Sequence, residues 1–485
     1  MKIVVCNSVG ITTEGQKLST FPSRWTGMDG TLTGQTFYPF ELGYLSTLLK
    51  RDTDHDIKFL DGVLNRWDFD RYYDELSKEK PDIMVMEPSS MTYAADIKLA
   101  NKMKEKFGTK IIITGQHATA FPEEVSEQAD YVCIGEYEFT VLDIIQGIDP
   151  KQILGLYPNE RRPLLDINSL PWPEDEDTRR IEYSEPIHSE YNEVEMFASR
   201  GCPMSCIFCA ASTVYYNKPN WRPRNIDDII AEIKYLRKKY PEMEGVFFDE
   251  EDHNANKKFI LDLTKAIKDN KLDDLHYNVM TGYWTMDAEM LEAMYSAGYY
   301  KLRIGIETGS PKIAEELHLG AKFNLERLEK VLKVARKIGL KIQGTFTIGG
   351  KGSDPEEDMK TVKLLKNLIE NDLITEYQIS ICTPQPGTPF YKWSDENGYL
   401  VTKDWSLYDG SQCSVVSYPH YSNKEIEDMF QYARQTALLA RIKHDARQQG
   451  YLRTIYPVFR TSIRNRGVVG TFVEGAKRMI HYLSK

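Results

Sequence analysis

Three cysteines within eight residues constrain what this chain can fold into more than any other feature. Cys202, Cys206 and Cys209 lie in the run SRGCPMSCIFC, with three residues between the first pair and two between the second. Three thiolates on one tight loop can ligate three irons of a cubane iron–sulfur cluster and leave the fourth iron without a protein ligand. Since an iron with an open position can bind a substrate or cofactor, the motif predicts a loop that supports chemistry as well as electron transfer.

Two other kinds of metal site remain as alternatives. A structural zinc site usually takes four protein ligands, often as two separated pairs, and the sequence holds no second Cys-x-x-Cys. A disulfide framework is disfavoured because three cysteines this close together cannot join distant segments. An electron-carrier cluster with four cysteines would need one further ligand from Cys6, Cys133, Cys382 or Cys413.

Bulk properties indicate an intracellular enzyme. The 485 residues are enough for two or three domains with sizeable cores. The chain begins Met-Lys-Ile-Val-Val-Cys, which predicts a strand rather than a signal peptide, and no apolar stretch approaches membrane-spanning length. Seven cysteines, three of them clustered, favour a reducing compartment, so we expect a cytoplasmic protein. The net charge of -11 argues against general nucleic-acid binding.

The C-terminal region departs from this acidic balance. From Arg434 to Lys485 there are eleven basic residues, opposed only by Asp445 and Glu474. A solvated helical face explains this pattern most simply. The alternative is a basic surface for an anionic substrate or for peripheral contact with a membrane, because aromatic residues interleave with the charges.

Residues 1–148 alternate between short apolar runs and helical patterns. Short apolar runs of this kind form strands that are covered on both faces, so we predict a doubly wound, Rossmann-like parallel sheet. Ligands on such sheets bind at the carboxyl ends of the strands. The predicted strands are Ile3–Cys6, Ile57–Leu60, Ile83–Met86, Lys110–Thr114 and Tyr131–Ile134.

Residues 149–193 are predicted to form a linker, because six prolines interrupt the pattern. Between residues 194 and 390 a second alternating array predicts six βα units, which form a partial TIM-like barrel. We expect residues 391–485 to form a helical region. The predicted barrel strands are Val194–Ser199, Gly245–Phe248, His276–Met280, Lys301–Ile306, Lys341–Ile348 and Glu376–Cys382.

Polar or small residues follow several of the predicted barrel strands, where catalytic groups of such barrels gather. Glu250 and Glu251 lie in an acidic run after the second strand, and they fit either a cationic cofactor or the N-terminus of the next helix. On the fourth strand, Gly305 lets a ligand approach the backbone. Glu307, at the end of that strand, is placed to accept hydrogen bonds from ribose hydroxyls.

The chain resembles the radical S-adenosylmethionine (SAM) enzymes, specifically the branch that carries an N-terminal cobalamin (B12)-binding domain. The cysteine spacing, with aromatic Phe208 directly before the last cysteine, carries most of the resemblance. In that family the three cysteines hold a [4Fe-4S] cluster whose fourth iron binds SAM. Reduction then cleaves SAM to a 5′-deoxyadenosyl radical that abstracts a hydrogen atom. Supporting marks are Gly115–Thr119, Gly135–Glu138, Trp221–Arg224, Gly305–Glu307 and Pro384–Pro389.

The resemblance implies a role for each matching residue. No Asp-x-His-x-x-Gly string occurs, so no histidine is offered as a lower ligand to cobalt, and the implied role of His117 is loop support or a corrin contact. The implied set is Cys202, Cys206 and Cys209 for the cluster, Glu250 or Glu251 together with Gly305 and Glu307 for SAM, and Ser89, Gly115, His117, Gly135 and Glu136 for the edge of a cobalamin site.

The resemblance also implies a function. We expect an enzyme that methylates an unactivated carbon of a small-molecule or lipid-like substrate, with an external electron donor of the flavodoxin or ferredoxin type. A radical cyclisation or oxidation without methyl transfer is the alternative within the class. An iron–sulfur electron carrier that performs no radical chemistry is the alternative outside it. Neither the substrate nor the oligomeric state follows from the sequence.

Overall fold

The computed structural model describes residues 1–12, 15, 17–18, 36–183, 189–411 and 413–450. It is an α/β structure with one five-stranded and one six-stranded parallel sheet. Most of the predicted basic C-terminal region, from residue 451 onward, lies outside the described residues. In the part that is described, no helix is both long enough and apolar enough to span a membrane.

The first sheet has the strand order β2-β1-β3-β4-β5, and every neighbouring pair is parallel. This is the order of a doubly wound sheet, with the crevice for ligands where the order reverses, beside β1 and β3. Its strands are β1 Lys2–Asn7, β2 Asp56–Leu60, β3 Ile83–Glu87, β4 Lys110–Ile113 and β5 Tyr131–Val132. Its helices are α1 Phe40–Asp52, α2 Phe69–Glu79, α3 Tyr93–Phe107, α4 Gly115–Ala120, α5 Pro122–Ser126 and α6 Glu138–Ile145.

Helices cover both faces of this sheet. Ile3 and Val5 of β1 pack with residues of α1 and α6, whereas Val4 and Cys6 pack with residues of α2 and α3. Successive side chains of a strand point to opposite faces, so this division places one helical layer on each side. The polar loops at the carboxyl ends of the strands are therefore the part of the sheet left for ligands.

Residues 149–183 run from the first sheet to the second with only three short 3-10 turns. Buried polar contacts near its C-terminal end join this segment to both domains. The Glu174 carboxylate accepts a hydrogen bond from Ser46 at 2.6 Å. Arg180 pairs with Glu232 at 2.6 Å, and both side chains are buried. The segment is thus an extended but anchored connection.

The second sheet has its six strands in sequential order, β6-β9-β10-β11-β12-β13, and all pairs are parallel. Helices between consecutive strands make this the arrangement of a partial βα barrel. The strands are β6 Glu193–Met196, β9 Gly245–Phe248, β10 His276–Thr281, β11 Tyr299–Glu307, β12 Lys341–Ile348 and β13 Glu376–Ile381, and β7 Ser199–Arg200 pairs with β8 Arg222–Pro223 in a short antiparallel ribbon. The helices are α7 Ile226–Lys239, α8 Lys257–Asp269, α9 Ala288–Ser296, α10 Pro311–Glu316, α11 Leu325–Ile338 and α12 Pro355–Glu370.

The single strand predicted at Val194–Ser199 is divided in the structure. β6 ends at Met196, and after Phe197 and Ala198 the chain begins β7, which pairs antiparallel with β8. The break turns the chain away from the parallel sheet just before the cysteines. The sequence did not predict it because the apolar pattern runs through the break without interruption.

The region predicted as helical from residue 391 onward is only partly helical. α13 spans Pro389–Glu396 and α14 spans Asn423–Gln449, but residues 397–411 and 413–422 form turns, two isolated bridges and one 3-10 turn. Gly398 and Gly410 adopt positive φ angles of 67° and 70°, which a continuing helix cannot contain. A capping box between Ser422 and Glu425 then starts α14.

Candidate active site at the cysteine loop

The cysteine loop, residues 201–209, follows β7 directly. Gly201 has a φ angle of 93°, and a side chain there would collide with Asn220. The backbone N–H of Asn220 donates to the carbonyl of Cys202 at 2.9 Å, and that of Cys209 donates to the carbonyl of Cys206 at 3.1 Å. The loop is therefore held by its own turn and by the segment before β8.

All three cysteines of the loop are free thiols in the structure. Cys206 is buried, and Cys202 and Cys209 are half-buried. Burial raises the pKa of Cys206 to about 12 and also raises the pKa of Cys202, where the charge of Asp252 adds to the effect. A raised pKa means that the free cysteines prefer the protonated thiol. Iron binds thiolates, so its binding must offset this preference and displace the protons.

Among the described residues, no three His, Cys, Asp or Glu side chains converge closely enough to hold one metal ion. A mononuclear site needs all of its ligands around a single point. A cubane cluster makes a different demand, because each cysteine binds an iron at its own corner. The loop of three thiols is compatible with that wider geometry.

Glu250, which was predicted as a cofactor contact, holds the backbone that leads into the cysteine loop. One oxygen of its carboxylate accepts hydrogen bonds from the N–H groups of Ala198 at 2.5 Å and Ser199 at 2.6 Å. The other oxygen lies 2.5 Å from Nδ1 of His253. Both oxygens are thus engaged within the protein, which makes Glu250 a positioning residue in this structure.

Glu251 holds the next residue of the same segment. Its carboxylate accepts from the N–H of Gly201 at 2.8 Å and from the hydroxyl of Tyr216 at 3.0 Å. The acidic run therefore reaches across from β9 and fixes the start of the cysteine loop. A contact between Glu251 and a cofactor stays a prediction.

Asp252, the last carboxylate of the run, is near enough to Cys202 for its charge to raise the pKa of that thiol, and it was not singled out from the sequence. It is buried, and its Oδ1 makes no hydrogen bond within the described part of the chain. Burial raises the pKa of Asp252 to about 6, although the charge of Lys322 works in the opposite direction. Its position after a strand could have marked Asp252 as a site residue. Glu250 and Glu251 have the same position, so the sequence did not distinguish Asp252 from them.

Glu307 lies at the end of β11 in a left-handed conformation, with a φ angle of 66°. The register between β11 and β12 shifts between Gly305 and Glu307, so a bulge re-aims the Glu307 side chain. Its Oε1 pairs with Nζ of Lys322 at 2.5 Å. Gly305 makes room for this pair, because a Cβ there would lie 2.6 Å from each of the two charged atoms.

The remaining cysteines are separated by the fold. Cys6 and Cys133 belong to the core of the first sheet, and Cys413 lies with the aromatic residues after α13. Cys382, at the end of β13, packs in the same apolar cluster as Cys206. Of the four candidates for a fourth cluster ligand, Cys382 thus shares a cluster with Cys206, and Cys133 belongs to the cluster against which Cys209 packs.

The residues predicted at the edge of the first sheet divide into two groups. Ser89, Gly115 and His117 lie together beyond the ends of β3 and β4. Nδ1 of His117 lies 3.0 Å from the hydroxyl of Ser90, and its ring packs against Tyr93 with 4.2 Å between centroids. His117 is buried, and this burial lowers its pKa to about 3, so it is neutral at physiological pH.

Several buried polar atoms around His117 lack hydrogen-bond partners among the described residues. They are Nε2 of His117, both amide atoms of Gln116, Oε1 of Glu87 and the hydroxyl of Tyr93. Buried polar groups are nearly always satisfied, so such a group of them marks the place of a ligand or of water. These atoms lie beyond the ends of β3 and β4, at the edge of the sheet where ligands of doubly wound folds bind.

Gly135 and Glu136 form the second group. The N–H of Gly135 donates to the hydroxyl of Thr119 within the first domain at 2.9 Å, whereas Glu136 contacts the ribbon of β7 and β8. The Glu136 carboxylate pairs with Arg222 at 2.8 Å and with Arg200 at 3.3 Å. Glu138, two residues later, pairs with Arg200 at 2.6 Å, and neither side chain of this pair is exposed. Since Arg200 precedes Gly201, these carboxylates fix the cysteine loop against the first domain.

The architecture defines the class of protein. A βα array carries three free thiols directly after its first strand, and a doubly wound domain clamps the same loop from the other side. This is the arrangement of an enzyme that uses an iron–sulfur cluster at the mouth of a partial barrel. Residues 196–365 match the model of the radical SAM superfamily, so this part of the chain is a radical SAM domain. Members of this superfamily work with a [4Fe-4S] cluster and SAM, which are therefore the cofactors of this enzyme.

Similar proteins extend over both domains. An uncharacterized methyltransferase of Pyrococcus horikoshii is 28% identical over 82% of this chain and 87% of its own length. The bacteriochlorophyllide d C-8(2)-methyltransferase of Chlorobaculum tepidum is 21% identical over 80% of this chain and 83% of its own. The structure of the radical SAM methyltransferase TsrM from Kitasatospora setae, with cobalamin and a [4Fe-4S] cluster bound, has a TM-score of 0.60 at 15% identity and covers 82% of this chain and 75% of its own. The last likeness shows that the fold is shared.

Proposed function

We propose that this protein is a cobalamin-dependent radical SAM methyltransferase that acts on an unactivated carbon of a small molecule. The observation that carries the proposal is the cysteine loop, which is held between two parallel sheets at their ligand-binding edges. We assign residues 1–148 to the cobalamin domain, 149–193 to the linker, 194–390 to the radical SAM barrel and 391–485 to a C-terminal region.

Cys202, Cys206 and Cys209 are the proposed ligands of the cluster. The fit rests on the chemistry of the donor set, since all three are free thiols on one loop whose backbone is fixed by Glu250 and Glu251. When bound, the cluster and SAM supply a carbon radical that removes a hydrogen atom from the substrate. The protein holds the loop, excludes water and orients the reactants.

The atoms without partners around His117 support cobalamin as the ligand of the first domain. The corrin ring carries amide side chains, which can donate to Oε1 of Glu87 or Nε2 of His117 and accept from Nε2 of Gln116. His117 is neutral, buried and bonded to Ser90, so its proposed role is to contact the corrin or support the loop. When bound, cobalamin supplies the methyl group that is transferred.

Lys322 and Asp252 extend the proposed SAM site beyond the residues that the sequence offered. SAM carries an ammonium, a carboxylate and a ribose diol, and the site presents groups of matching chemistry. Asp252 faces Cys202, and the Glu307–Lys322 pair lies beside Gly305. Glu307 is the proposed acceptor for the ribose hydroxyls.

The experiment that tests this function uses the full chain, reconstituted anaerobically with iron and sulfide and supplied with methylcobalamin. We expect a [4Fe-4S] absorption and electron paramagnetic resonance signal, saturable cobalamin binding, and release of both 5′-deoxyadenosine and S-adenosylhomocysteine from SAM under a low-potential reductant of the flavodoxin or ferredoxin type. Formation of 5′-deoxyadenosine without cobalamin binding would instead support a radical cyclisation or oxidation. A full cluster with no SAM cleavage would support the electron carrier and reject the proposal.

A further inference from the structure

Lys322 is a half-buried cation close to the cysteine loop. It ends the 3-10 turn Gly320–Lys322, which follows α10, and its side chain is 17% exposed. Burial lowers the pKa of Lys322, but the ion pair with the Glu307 carboxylate raises it, and the pKa stays above its ordinary value. Lys322 therefore keeps its charge inside the protein.

The segment that carries Lys322 is fixed to the cysteine loop by its backbone and by packing. The N–H of Ile207 donates to the carbonyl of Leu317 at 3.1 Å. Leu317 and Leu319 pack in the same apolar cluster as Cys206. The segment of Lys322 and the cysteine loop are therefore packed against each other.

Glu307 is held toward Lys322 at the expense of backbone strain. The left-handed region is unfavourable for a glutamate, and such strain concentrates at functional sites. The bulge that produces this conformation also directs the carboxylate to Lys322 at 2.5 Å. The pair as a whole is neutral, so it can lie in a dry pocket next to three thiols.

We propose that the positive charge of Lys322 stabilises the reduced iron–sulfur cluster and that the carboxylate of Glu307 determines how much of this charge acts on the cluster. The inference rests on the proposed function, in which Cys202 and Cys206 are cluster ligands. One-electron reduction by an external donor adds one negative charge to the cluster, and Lys322 stabilises that charge without losing its proton. No covalent bond forms or breaks at Lys322.

The pair also couples SAM to the cluster. A ribose diol that donates to Glu307 competes with Lys322 for the same carboxylate oxygens, because Oε1 carries the ion pair in the structure. When the ribose donates to Glu307, the ion pair between Glu307 and Lys322 weakens. More of the positive charge of Lys322 then acts on the cluster. Binding of SAM therefore makes the cluster easier to reduce.

Redox titration followed by electron paramagnetic resonance tests this inference in the reconstituted full chain without SAM. For Lys322→Met we expect a normal iron content and a more negative midpoint potential than in the wild type. Lys322→Arg keeps the charge and should retain the wild-type potential. The matched control is Lys312→Met, which removes a lysine of α10 that is half exposed and paired with Asp354; its potential should not change.

A second variant keeps the test decisive if Lys322→Met fails to take up iron. Glu307→Gln removes the negative partner, so the cluster should become easier to reduce and its midpoint potential should become more positive. An unchanged potential in Glu307→Gln with full iron content would overturn the inference. So would a Lys322→Met protein with a normal cluster and potential but weaker SAM affinity, because Lys322 would then act only as a cofactor ligand.

Failure of the proposed function gives a different result. In that case the wild-type protein itself lacks the three-cysteine cluster or does not cleave SAM, before any variant is compared. A wild type that behaves as proposed, together with variants that do not shift, rejects only the role of Lys322.

Discussion

The two parallel sheets of this protein use their faces differently. Both faces of the five-stranded sheet are covered by apolar side chains of helices. The six-stranded sheet packs apolar side chains outward, whereas its inner face carries polar residues that include Asn278, Arg303 and Gln343. The first sheet therefore leaves only its carboxyl edge for a ligand, and the second adds an enclosed polar face. The cysteine loop lies where these two surfaces meet.

The comparison of the two sheets predicts that substitutions in the cysteine loop, and in the ion pairs that hold it against the first domain, have larger effects than substitutions at the carboxyl edge of either sheet. The largest effect is expected from Cys202→Ala, which removes one proposed cluster ligand. Iron content and SAM cleavage should fall roughly tenfold or more, because three ligands are the minimum for a stable cubane. Cobalamin titration should be unchanged, since Cys202 itself belongs to neither apolar cluster of the first sheet.

The matched control for Cys202→Ala is Cys382→Ser. Cys382 is the one remaining cysteine in the apolar cluster that contains Cys206. Under the proposed function it is not a ligand, so the iron content of this variant should equal that of the wild type. If iron is lost in Cys382→Ser, the four-cysteine electron carrier becomes the better interpretation.

The buried ion pair between the sheets gives the next largest effect. Arg200→Met leaves the fully buried carboxylate of Glu138 without its cation, which costs about 3–5 kcal/mol in comparable sites. Urea unfolding measures the loss. Lys330→Met is the control, because its pair with Glu326 is exposed and worth less than about 1 kcal/mol.

The double variant Arg200→Met/Glu138→Leu separates charge from packing. It removes both members of the pair, so most of the lost stability should return. A double variant as unstable as the single one would show that the loss came from packing around Arg200 and not from an uncompensated charge.

Glu307→Ala should weaken SAM binding while the cluster is still formed. Loss of a carboxylate that accepts hydrogen bonds costs about 1.5–3 kcal/mol, which corresponds to roughly tenfold or more in SAM affinity. Equilibrium titration of the reconstituted protein checks this, with iron content expected to be unchanged. Glu316→Ala, an exposed residue of α10 that pairs with Lys351, should bind SAM as the wild type does. Equal affinity in both variants would remove Glu307 from the site.

Beside each sheet, a buried aspartate on a helix accepts a hydrogen bond from the backbone of a loop that follows a strand. Asp96 of α3 accepts from the N–H of Val9 at 2.6 Å, after β1. Asp358 of α12 accepts from the N–H of Gly349 at 3.0 Å, after β12. Burial raises the pKa of both carboxyls to about 7.

These two aspartates give the smallest predicted effect. A raised pKa means that the folded state binds the proton more tightly than the unfolded state, so stability is complete below about pH 4 and is lost as the pH rises toward 7. The free energy of unfolding should fall by on the order of 1 kcal/mol per group between roughly pH 6 and pH 7. Asp96→Asn and Asp358→Asn should each reduce this slope in urea unfolding. Asp74→Asn, on the exposed side of α2, should leave it unchanged, and three parallel pH profiles would contradict the prediction.

The sequence predicted the features that depend on neighbours along the chain. The apolar runs of β1–β5 and of β9–β13 gave the right strands because strand formation is read from local patterning. The cysteine spacing gave the loop because the three sulfurs share one turn. Conversely, the prediction of a helical region over residues 391–485 was wrong for residues 397–411 and 413–422, where Gly398 and Gly410 turn the chain.

Contacts between distant residues were decided only by the tertiary structure. Glu250 binds the backbone of Ser199, Glu138 binds Arg200, and Glu307 binds Lys322, and none of these pairs is adjacent in the sequence. A carboxylate at a strand end has the same local pattern whether it meets a cofactor, a backbone or a buried cation. The partner of such a carboxylate depends on which elements the fold brings next to it. A buried carboxylate is stable only with a cation or a hydrogen-bond donor within bonding distance, and that neighbour comes from another part of the chain. The amino-acid order thus determined where the thiols are, and the packing of the two sheets determined the charges that surround them.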